Sequence, residues 1–214
     1  MIKAVIFDVD GTLLDTERIY MHAWRIAAKE AGYDLPQEAL LKTRAINRVL
    51  AAKIFREATD EHFDYDAIYS RRLAIGEEIL AQQPANLMPG VREVLDTLRS
   101  RGIPMAVASS TEYGRTVAHL EHSGIIGYFD AIVGGDMVTK GKPNPDIFWK
   151  AADLLGVPYE ACMVVEDSPA GIRAAASAGM VPVLIPDCVP ANDESTALSR
   201  AVLSSMHQLL PLLN

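Results

Sequence analysis

Residues 4–12 have the sequence AVIFDVDGT, in which four apolar residues precede two aspartates, a glycine and a threonine. A short run of strand-forming residues that ends in a polar, glycine-containing turn predicts a buried β-strand. In an open α/β sheet, ligands bind at the carboxyl ends of such strands. The carboxylates of Asp8 and Asp10 are costly to bury without a partner. The stretch therefore predicts a strand of an α/β sheet with a cation, or a proton shared in catalysis, at its end.

The composition is that of a globular, acidic protein. Half of the 214 residues are hydrophobic and the formal net charge at pH 7 is −8, which argues against nucleic acid or an anionic membrane as a partner. No apolar run approaches the roughly 20 residues that cross a bilayer, and the first residues show no signal-peptide features. Cys162 and Cys188 form neither a disulfide framework nor a metal-binding spacing. We expect a cytoplasmic monomer.

The order of elements along the chain predicts a discontinuous fold. Residues 16–32 and 36–83 have helical spacing of apolar residues and no convincing strand. Further along the chain, strands and helices alternate, which indicates a mostly parallel, Rossmann-like sheet. The elements expected there are strands at 104–108, 131–133, 163–165 and 182–185, helices at 91–101, 112–123, 146–155 and 170–178, and terminal helices. We expect an α/β core of residues 1–14 and 85–214 and an inserted all-helical cap subdomain of residues 15–84.

Three further polar clusters follow predicted strands or precede predicted helices. Ser109 and Ser110 open a helix, where hydroxyl and backbone N–H groups form a natural phosphate site. Lys142 lies in a proline-stiffened turn, and Glu166 and Asp167 end a strand. Each cluster taken alone has an ordinary structural explanation: a helix cap, a solvated lysine, a turn. Their chemistry becomes specific because all of them are expected at one edge of one sheet.

Four carboxylates are expected to crowd together at that edge. They belong to Asp8, Asp10, Glu166 and Asp167. At an effective dielectric constant near 20, the repulsion between two carboxylates in close contact is on the order of several kcal/mol. A hard divalent cation relieves this repulsion, and Mg²⁺ fits a site of carboxylates, water and a substrate phosphate. We therefore expect Mg²⁺ as the cofactor and a small phosphorylated metabolite as the partner.

These motifs, in this order, resemble those of the haloacid dehalogenase superfamily, in the branch with a small helical cap inserted after the first motif. The resemblance covers essentially the whole chain. It implies that Asp8 is the nucleophile, which forms an aspartyl-phosphate, and that Asp10 protonates the leaving oxygen and later activates water. It also implies that Ser109 and Lys142 hold the phosphoryl oxygens, with Ser110 as a further phosphate-binding candidate.

The same resemblance implies the ligands of the Mg²⁺ ion. They are Asp8, the carbonyl of Asp10, Asp167 and Glu166. General chemistry agrees with these roles, because a carboxylate is ionised at neutral pH without an activating base. Phosphoryl transfer requires positioning and charge neutralisation, which a lysine, a metal ion and backbone N–H groups supply. We therefore expect a Mg²⁺-dependent phosphatase that hydrolyses a small phosphomonoester, with sugar phosphates as the substrate class.

A phosphosugar mutase is the main alternative, because the branch includes both sugar-phosphate phosphatases and β-phosphoglucomutase-like enzymes. The mutase pattern has a histidine where this chain has Tyr20 and a basic residue where it has Glu112. The loop at residues 41–47 also lacks the expected glycine and arginine. These departures favour a hydrolase. A dehalogenase would need neither Asp10 nor the acidic pair, and a non-catalytic phospho-switch would lack the acid/base or the lysine.

Substrate selection is assigned to the helical subdomain, where the sequence carries less information. The candidates to face the substrate are Tyr20, His22 and Arg44, together with Lys42 and Arg48, although each could equally be a solvated helix residue. His119 and His122 lie one helical turn apart, a spacing that suits metal binding but is more typical of a solvated helix face. The sequence therefore leaves the identity of the phosphorylated substrate open.

Overall fold

The computed structural model describes residues 1–43 and 48–213. The chain divides into two compact units. One consists of Met1–Asp15 and the chain from Asn86 onward, and the other of Thr16–Ala85. Within the described residues, no helix has both the length and the apolar character that a membrane span requires.

The first unit is built on a parallel sheet. Its strands are β1 (Ala4–Phe7), β2 (Met105–Ala108), β3 (Ala131–Val133), β4 (Cys162–Glu166), β5 (Val181–Leu184) and β6 (Ala201–Val202). Their order in the sheet is β3-β2-β1-β4-β5-β6, and every neighbouring pair is parallel. The predicted α/β fold class is confirmed. Strand β6 lies in a segment where we expected only helices, because a strand of two residues is too short to show a periodic pattern.

Helices complete both units. The helical unit contains α1 (Glu17–Glu30), α2 (Gln37–Lys42), α3 (Arg48–Ala58) and α4 (Tyr65–Gln82). The α/β unit contains α5 (Val91–Ser100), α6 (Tyr113–His122), α7 (Asp146–Leu155), α8 (Pro169–Ser177) and α9 (Asp193–Leu198). A 3-10 helix at Met206–Leu213 stands where a regular terminal helix was expected. Pro211 lies inside this segment and lacks the N–H that an α-helical hydrogen bond needs.

The position of β1 decides where the site forms. It lies between β2 and β4, and all four of its side chains are buried, as a continuous apolar run predicts for a strand covered on both faces. Helix α7 packs across β1, β2 and β3, while α8 packs against β4 and β5. The register places Phe7 beside Val165. Because the strands are parallel, the residues that follow Phe7 and Val165 emerge at the same edge of the sheet.

The helical unit has an aromatic core of its own. Helices α1 and α4 pack against each other, and Trp24 of α1 lies 4.8 Å from Phe55 and 5.5 Å from Tyr65, measured between ring centroids. Helix α1 ends just before Gly32, whose φ of +87° is the left-handed conformation that glycine adopts at helix ends. Gly32 therefore ends the helical segment that the sequence predicts at residues 16–32.

Candidate active site

Polar side chains from four segments lie at the carboxyl edge of the sheet. Asp8 directly follows β1, Ser109 directly follows β2, and Glu166 is the last residue of β4. Lys142 comes from the loop that precedes α7. Of these side chains, the structure brings Asp8, Lys142 and Glu166 into direct contact.

Lys142 is the centre of this contact. Its Nζ donates to Asp8 Oδ1 at 2.5 Å, to Glu166 Oε1 at 2.7 Å and to the carbonyl oxygen of Ala108 at 3.0 Å. An ammonium group has three hydrogens, so these three acceptors saturate it. The side chains of all three charged residues are buried. Removing Lys142 would leave the two buried carboxylates of Asp8 and Glu166 without a compensating cation, which is strongly destabilising.

The burial of this group has a clear electrostatic consequence. Burial raises the pKa of Asp8 from its ordinary value of 3.8 to about 7; Lys142 opposes the shift, while the carboxylates of Glu166 and Asp10 add to it. Burial alone would lower the pKa of Lys142, but its charge interactions and hydrogen bonds with Asp8 and Glu166 raise it. Lys142 therefore remains a cation, and one lysine does not fully compensate the surrounding carboxylates.

Thr111 holds the second aspartate of the first motif. Its hydroxyl donates to Asp10 Oδ2 at 3.0 Å. The backbone N–H of Thr111 in turn donates to the hydroxyl oxygen of Ser109 at 3.0 Å, which leaves the Ser109 hydroxyl hydrogen for another acceptor. Ser109 is buried, whereas the neighbouring Ser110 is exposed. The hydroxyl-rich turn after β2 thus contacts Asp10 directly.

Glu166 has both carboxylate oxygens engaged by protein donors. Oε1 accepts from Lys142, and Oε2 accepts from the backbone N–H of Ser168 at 2.9 Å and from its hydroxyl at 2.8 Å. The Ser168 hydroxyl oxygen also accepts from the N–H of Gly171 and so caps α8. This geometry suits Glu166 to positioning Lys142 and α8 rather than to binding a metal ion directly.

The remaining oxygen donors fit a hard cation. Among the residues that the structure describes, no three His, Cys, Asp or Glu side chains converge in a metal-binding group. The expected donors do not require such a group, because one of them is the backbone carbonyl of Asp10. The side chain of Asp167 lies against Gly11, where an added Cβ would come within 2.6 Å of its Oδ2. Carboxylate and carbonyl oxygens beside the incompletely compensated Asp8 form the donor set that Mg²⁺ prefers.

The substrate-selecting candidates fall into different environments. Tyr20 is buried in the helical unit, where its hydroxyl donates to Glu77 Oε1 at 2.7 Å and its ring fills the space over Gly76. His22 is exposed on α1. Arg44 lies outside the described residues. The expectation of a solvated helix face at His119 and His122 is wrong for His119, which is buried, because that side of α6 packs onto the α/β unit.

The helical unit contains a cavity of about 180 Å³. Its lining includes Arg48, Arg72, Glu17 and Tyr69. The guanidinium group of Arg72 lies 4.3 Å from the ring centroid of Tyr20, and burial lowers its pKa. The guanidinium group of Arg48 lies 4.5 Å from the ring centroid of Tyr69. Two arginines held by aromatic rings are suited to binding an anionic or strongly polar group.

Two residues at the sheet edge were not singled out from the sequence. Thr111 supplies a third hydroxyl in the turn after β2, which was a signal for a further contact. Asp187 comes three residues after the end of the apolar strand β5, at the same edge of the sheet, so the rule that ligands bind at the carboxyl ends of strands applies to it as well. Its Oδ2 would lie 3.5 Å from a Cβ at Gly11.

Comparison with known proteins identifies the family of the chain. The model of the haloacid dehalogenase-like hydrolase family matches residues 2–179. A phosphorylated carbohydrates phosphatase of Thermotoga maritima is 33% identical over 183 residues, with 83% of this chain and 82% of the relative covered. A β-phosphoglucomutase of Bacillus subtilis is 32% identical over 187 residues, with 85% and 82% covered.

A solved structure with a bound ligand is also similar. The crystal structure of CbbY from Rhodobacter sphaeroides in complex with phosphate is 30% identical to this chain, with a TM-score of 0.79 and coverage of 98% of this chain and 96% of that one. The fold and the edge site define a hydrolase with a Rossmann-like core. The chain belongs to the haloacid dehalogenase-like hydrolase family.

Proposed function

We propose that the protein is a Mg²⁺-dependent phosphatase that hydrolyses a small phosphomonoester, with sugar phosphates as the substrate class, through an aspartyl-phosphate. The observation that carries this proposal is the buried contact of Lys142 with Asp8 and Glu166 at the carboxyl edge of the sheet. A carboxylate held beside a fixed cation supports the role of Asp8 as the nucleophile. The carboxylate of Asp10, held by Thr111, supplies the acid–base partner.

In the first step, a carboxylate oxygen of Asp8 attacks the phosphorus atom and the bond between phosphorus and the leaving oxygen breaks. Asp10 gives its proton to that oxygen, so the alcohol leaves neutral. The cation of Lys142 neutralises charge on the phosphoryl oxygens, and the hydroxyl group of Ser109 donates to one of them. Ser110, which is exposed, is the weaker candidate for this contact.

In the second step, Asp10 accepts a proton from a water molecule that attacks the phosphorus atom of the aspartyl-phosphate. The acyl-phosphate bond breaks, inorganic phosphate leaves and the Asp8 carboxylate is restored. Glu166 acts on both steps indirectly, because its two oxygens fix Lys142 and the start of α8. Asp10 thus serves first as an acid and then as a base.

Asp8, the carbonyl of Asp10 and Asp167 would hold the Mg²⁺ ion. When bound, the ion neutralises the charge of the phosphate and of the surrounding carboxylates. Glu166 is not included, because both of its oxygens already accept hydrogen bonds from the protein.

The helical unit is proposed as a cap that selects the alcohol part of the substrate. Its cavity offers Arg48 and Arg72 to polar groups of a small metabolite. The ring of Tyr20 contacts the guanidinium group of Arg72, whereas the hydroxyl of Tyr20 donates a hydrogen bond to Glu77. The volume of this cavity suits a small molecule.

The proposal is tested by assaying the purified protein against phosphorylated sugars, sugar acids and nucleotides, with Mg²⁺ and with EDTA. We expect release of phosphate from at least one sugar phosphate with Mg²⁺, no release with EDTA, and no release by Asp8→Asn, which retains the shape of the side chain but loses the nucleophile. Release of phosphate by pure Asp8→Asn protein at the wild-type rate would rule out the covalent mechanism.

Phosphosugar mutase activity is the second candidate, because a β-phosphoglucomutase is among the similar proteins. The sequence argues against it through Tyr20 and Glu112, which replace a histidine and a basic residue of the mutase pattern. An assay primed with a sugar bisphosphate distinguishes the two activities. Isomerised sugar phosphate in excess of free phosphate would establish the mutase.

A further inference from the structure

Asp187 lies at the same edge of the sheet as the candidate site, but on a strand that carries none of the motifs. Strand β5 pairs with β4 so that Leu184 lies beside Glu166. The N–H of Ile185 donates to the carbonyl of Glu166 at 2.8 Å, which extends the pairing past the end of β5. The half-buried Asp187 follows two residues later. The pairing therefore brings Asp187 close to the acidic end of β4.

Gly11 is the point at which the side chains of Asp167 and Asp187 meet. A Cβ at Gly11 would lie 2.6 Å from Oδ2 of Asp167 and 3.5 Å from Oδ2 of Asp187. Both oxygens thus face one small space, which stays open because residue 11 has no side chain and has a φ of +87°. The thiol of Cys188 donates to the same Oδ2 of Asp187 at 2.9 Å, which fixes the direction of that carboxylate.

The charge at Gly11 is not compensated by the site lysine. All three hydrogens of the Lys142 ammonium group are directed at Asp8, Glu166 and the carbonyl of Ala108. Two carboxylates that face one point repel each other, and a cation between or beside them removes the repulsion. The space at Gly11 adjoins the carbonyl of Asp10, which is one of the proposed ligands.

We propose that Asp187 is a positioning residue of the divalent-cation site, where its carboxylate adds to that of Asp167 at Gly11 and raises the affinity for the cation. This inference rests on the proposed function, in which Asp167 is a ligand of Mg²⁺. It adds β5 to the strands that build the site.

The affinity for Mg²⁺ is measured on the full chain by isothermal titration calorimetry, without substrate. We expect Asp187→Asn to weaken Mg²⁺ binding roughly three- to tenfold, as the loss of one nearby negative charge predicts in a water-like dielectric. Asp187→Glu retains the charge and should bind within about twofold of the wild type. Asp193→Asn removes an equal charge from the exposed start of α9 and should leave the affinity unchanged.

Thermal unfolding separates this role from a merely structural one. In EDTA, Asp187→Asn should melt at or above the wild-type temperature, because one of two repelling carboxylates is gone. In Mg²⁺ its gain in melting temperature should be smaller than that of the wild type, because stabilisation by a ligand follows its affinity. A lower melting temperature in EDTA would overturn the proposal, since it would show that Asp187 is needed for the fold.

The remaining outcomes also decide the question. If Asp187→Asn binds Mg²⁺ as tightly as the wild type while Asp167→Asn does not, the proposal for Asp187 fails and the proposed function stands. If wild-type protein binds no Mg²⁺ at millimolar concentrations, the metal-dependent function fails, and the role of Asp187 fails with it.

Discussion

At the scale of single residues, Asp8 is the side chain whose ionised form is most clearly destabilised by the site. It is almost fully buried, it faces the carboxylates of Glu166 and Asp10, and it is stabilised by one lysine. The proposed mechanism requires the carboxylate of Asp8 to be ionised, and a bound cation would lower its raised pKa of about 7. Catalysis and stability therefore make opposite demands on this residue.

The pH dependence of stability follows from that shift. An unfolded aspartate releases its proton near 3.8, but folded Asp8 does so at about 7. Between these values the folded state binds the extra proton, so the free energy of unfolding of the metal-free protein should fall as the pH rises towards 7. Asp8→Asn lacks this proton, and its advantage over the wild type should reach on the order of a few kcal/mol near neutral pH.

Urea unfolding in EDTA, from about pH 4 to about pH 8, measures both curves. A constant difference between wild type and Asp8→Asn over the whole range would show that the pKa of Asp8 is not raised.

Thr111 provides a second prediction at this scale. Thr111→Val removes the hydroxyl that donates to Asp10 but retains the branched shape. Because a hydrogen bond to a charged group contributes about 1.5–3 kcal/mol, we expect kcat to fall roughly ten- to hundredfold, with little change in KM. The loss should be smaller for aryl phosphates, whose leaving group needs no proton.

Thr111→Ser is the matched control, since it restores the hydroxyl and should recover most of kcat. An equal loss in the serine and valine variants would indicate that Thr111 acts through packing and not through Asp10.

At the scale of elements, the start of α8 is built around Glu166. Ser168 caps the helix and also donates to Glu166, and Gly171 leaves room for the carboxylate. A Cβ at Gly171 would lie 1.8 Å from Glu166 Oε1. The helix start therefore fixes the acidic residue that in turn fixes Lys142.

Gly171→Ala should displace Glu166, lower kcat at least tenfold through Lys142, and destabilise the protein by about 1–3 kcal/mol through overpacking. Gly114→Ala is the matched control, because Gly114 lies in α6 with no atom within 4 Å of an added Cβ. Gly114→Ala should be neutral or stabilise the protein by up to about 1 kcal/mol, because alanine has a higher helix propensity than glycine. Steady-state kinetics and urea unfolding of both variants test this; equal behaviour would refute the packing argument.

Elements and motifs were predictable from sequence to different degrees. The apolar run before Asp8 and the alternation after residue 84 predicted the parallel sheet, because buried strands need continuous apolar residues. The contact of Lys142 with Glu166 was not predicted, since it depends on side-chain geometry in a loop that precedes α7. The burial of His119 was missed because its spacing from His122 says nothing about which side of α6 is covered.

At the scale of the whole molecule, the α/β unit holds the candidate catalytic residues and the helical unit holds a cavity of its own. The sequence predicted an all-helical insertion, but the cavity depends on how α1, α3 and α4 pack, and no local pattern encodes that. If the helical unit selects the substrate, changes in its cavity should alter the ranking of substrates and spare the chemistry.

Arg72→Gln tests whether the helical unit selects the substrate. We expect kcat/KM for the preferred sugar phosphate to fall about tenfold or more, as the loss of a charged hydrogen-bond donor predicts, while hydrolysis of p-nitrophenyl phosphate changes little. Lys53→Gln removes an exposed cation from α3 and should change neither. A uniform fall for all substrates of Arg72→Gln would show that discrimination lies elsewhere.

The central place of β1 also has a consequence for synthesis on the ribosome. Its two partner strands, β2 and β4, begin at Met105 and Cys162. At a synthesis rate of roughly 5–20 residues per second, about 8–30 s pass between the synthesis of β1 and that of β4. Thr16–Ala85 forms a compact unit and emerges in between, so it can fold first. Slow translation of the later strands therefore lengthens the time for which this wholly apolar strand is exposed to chaperones or to aggregation.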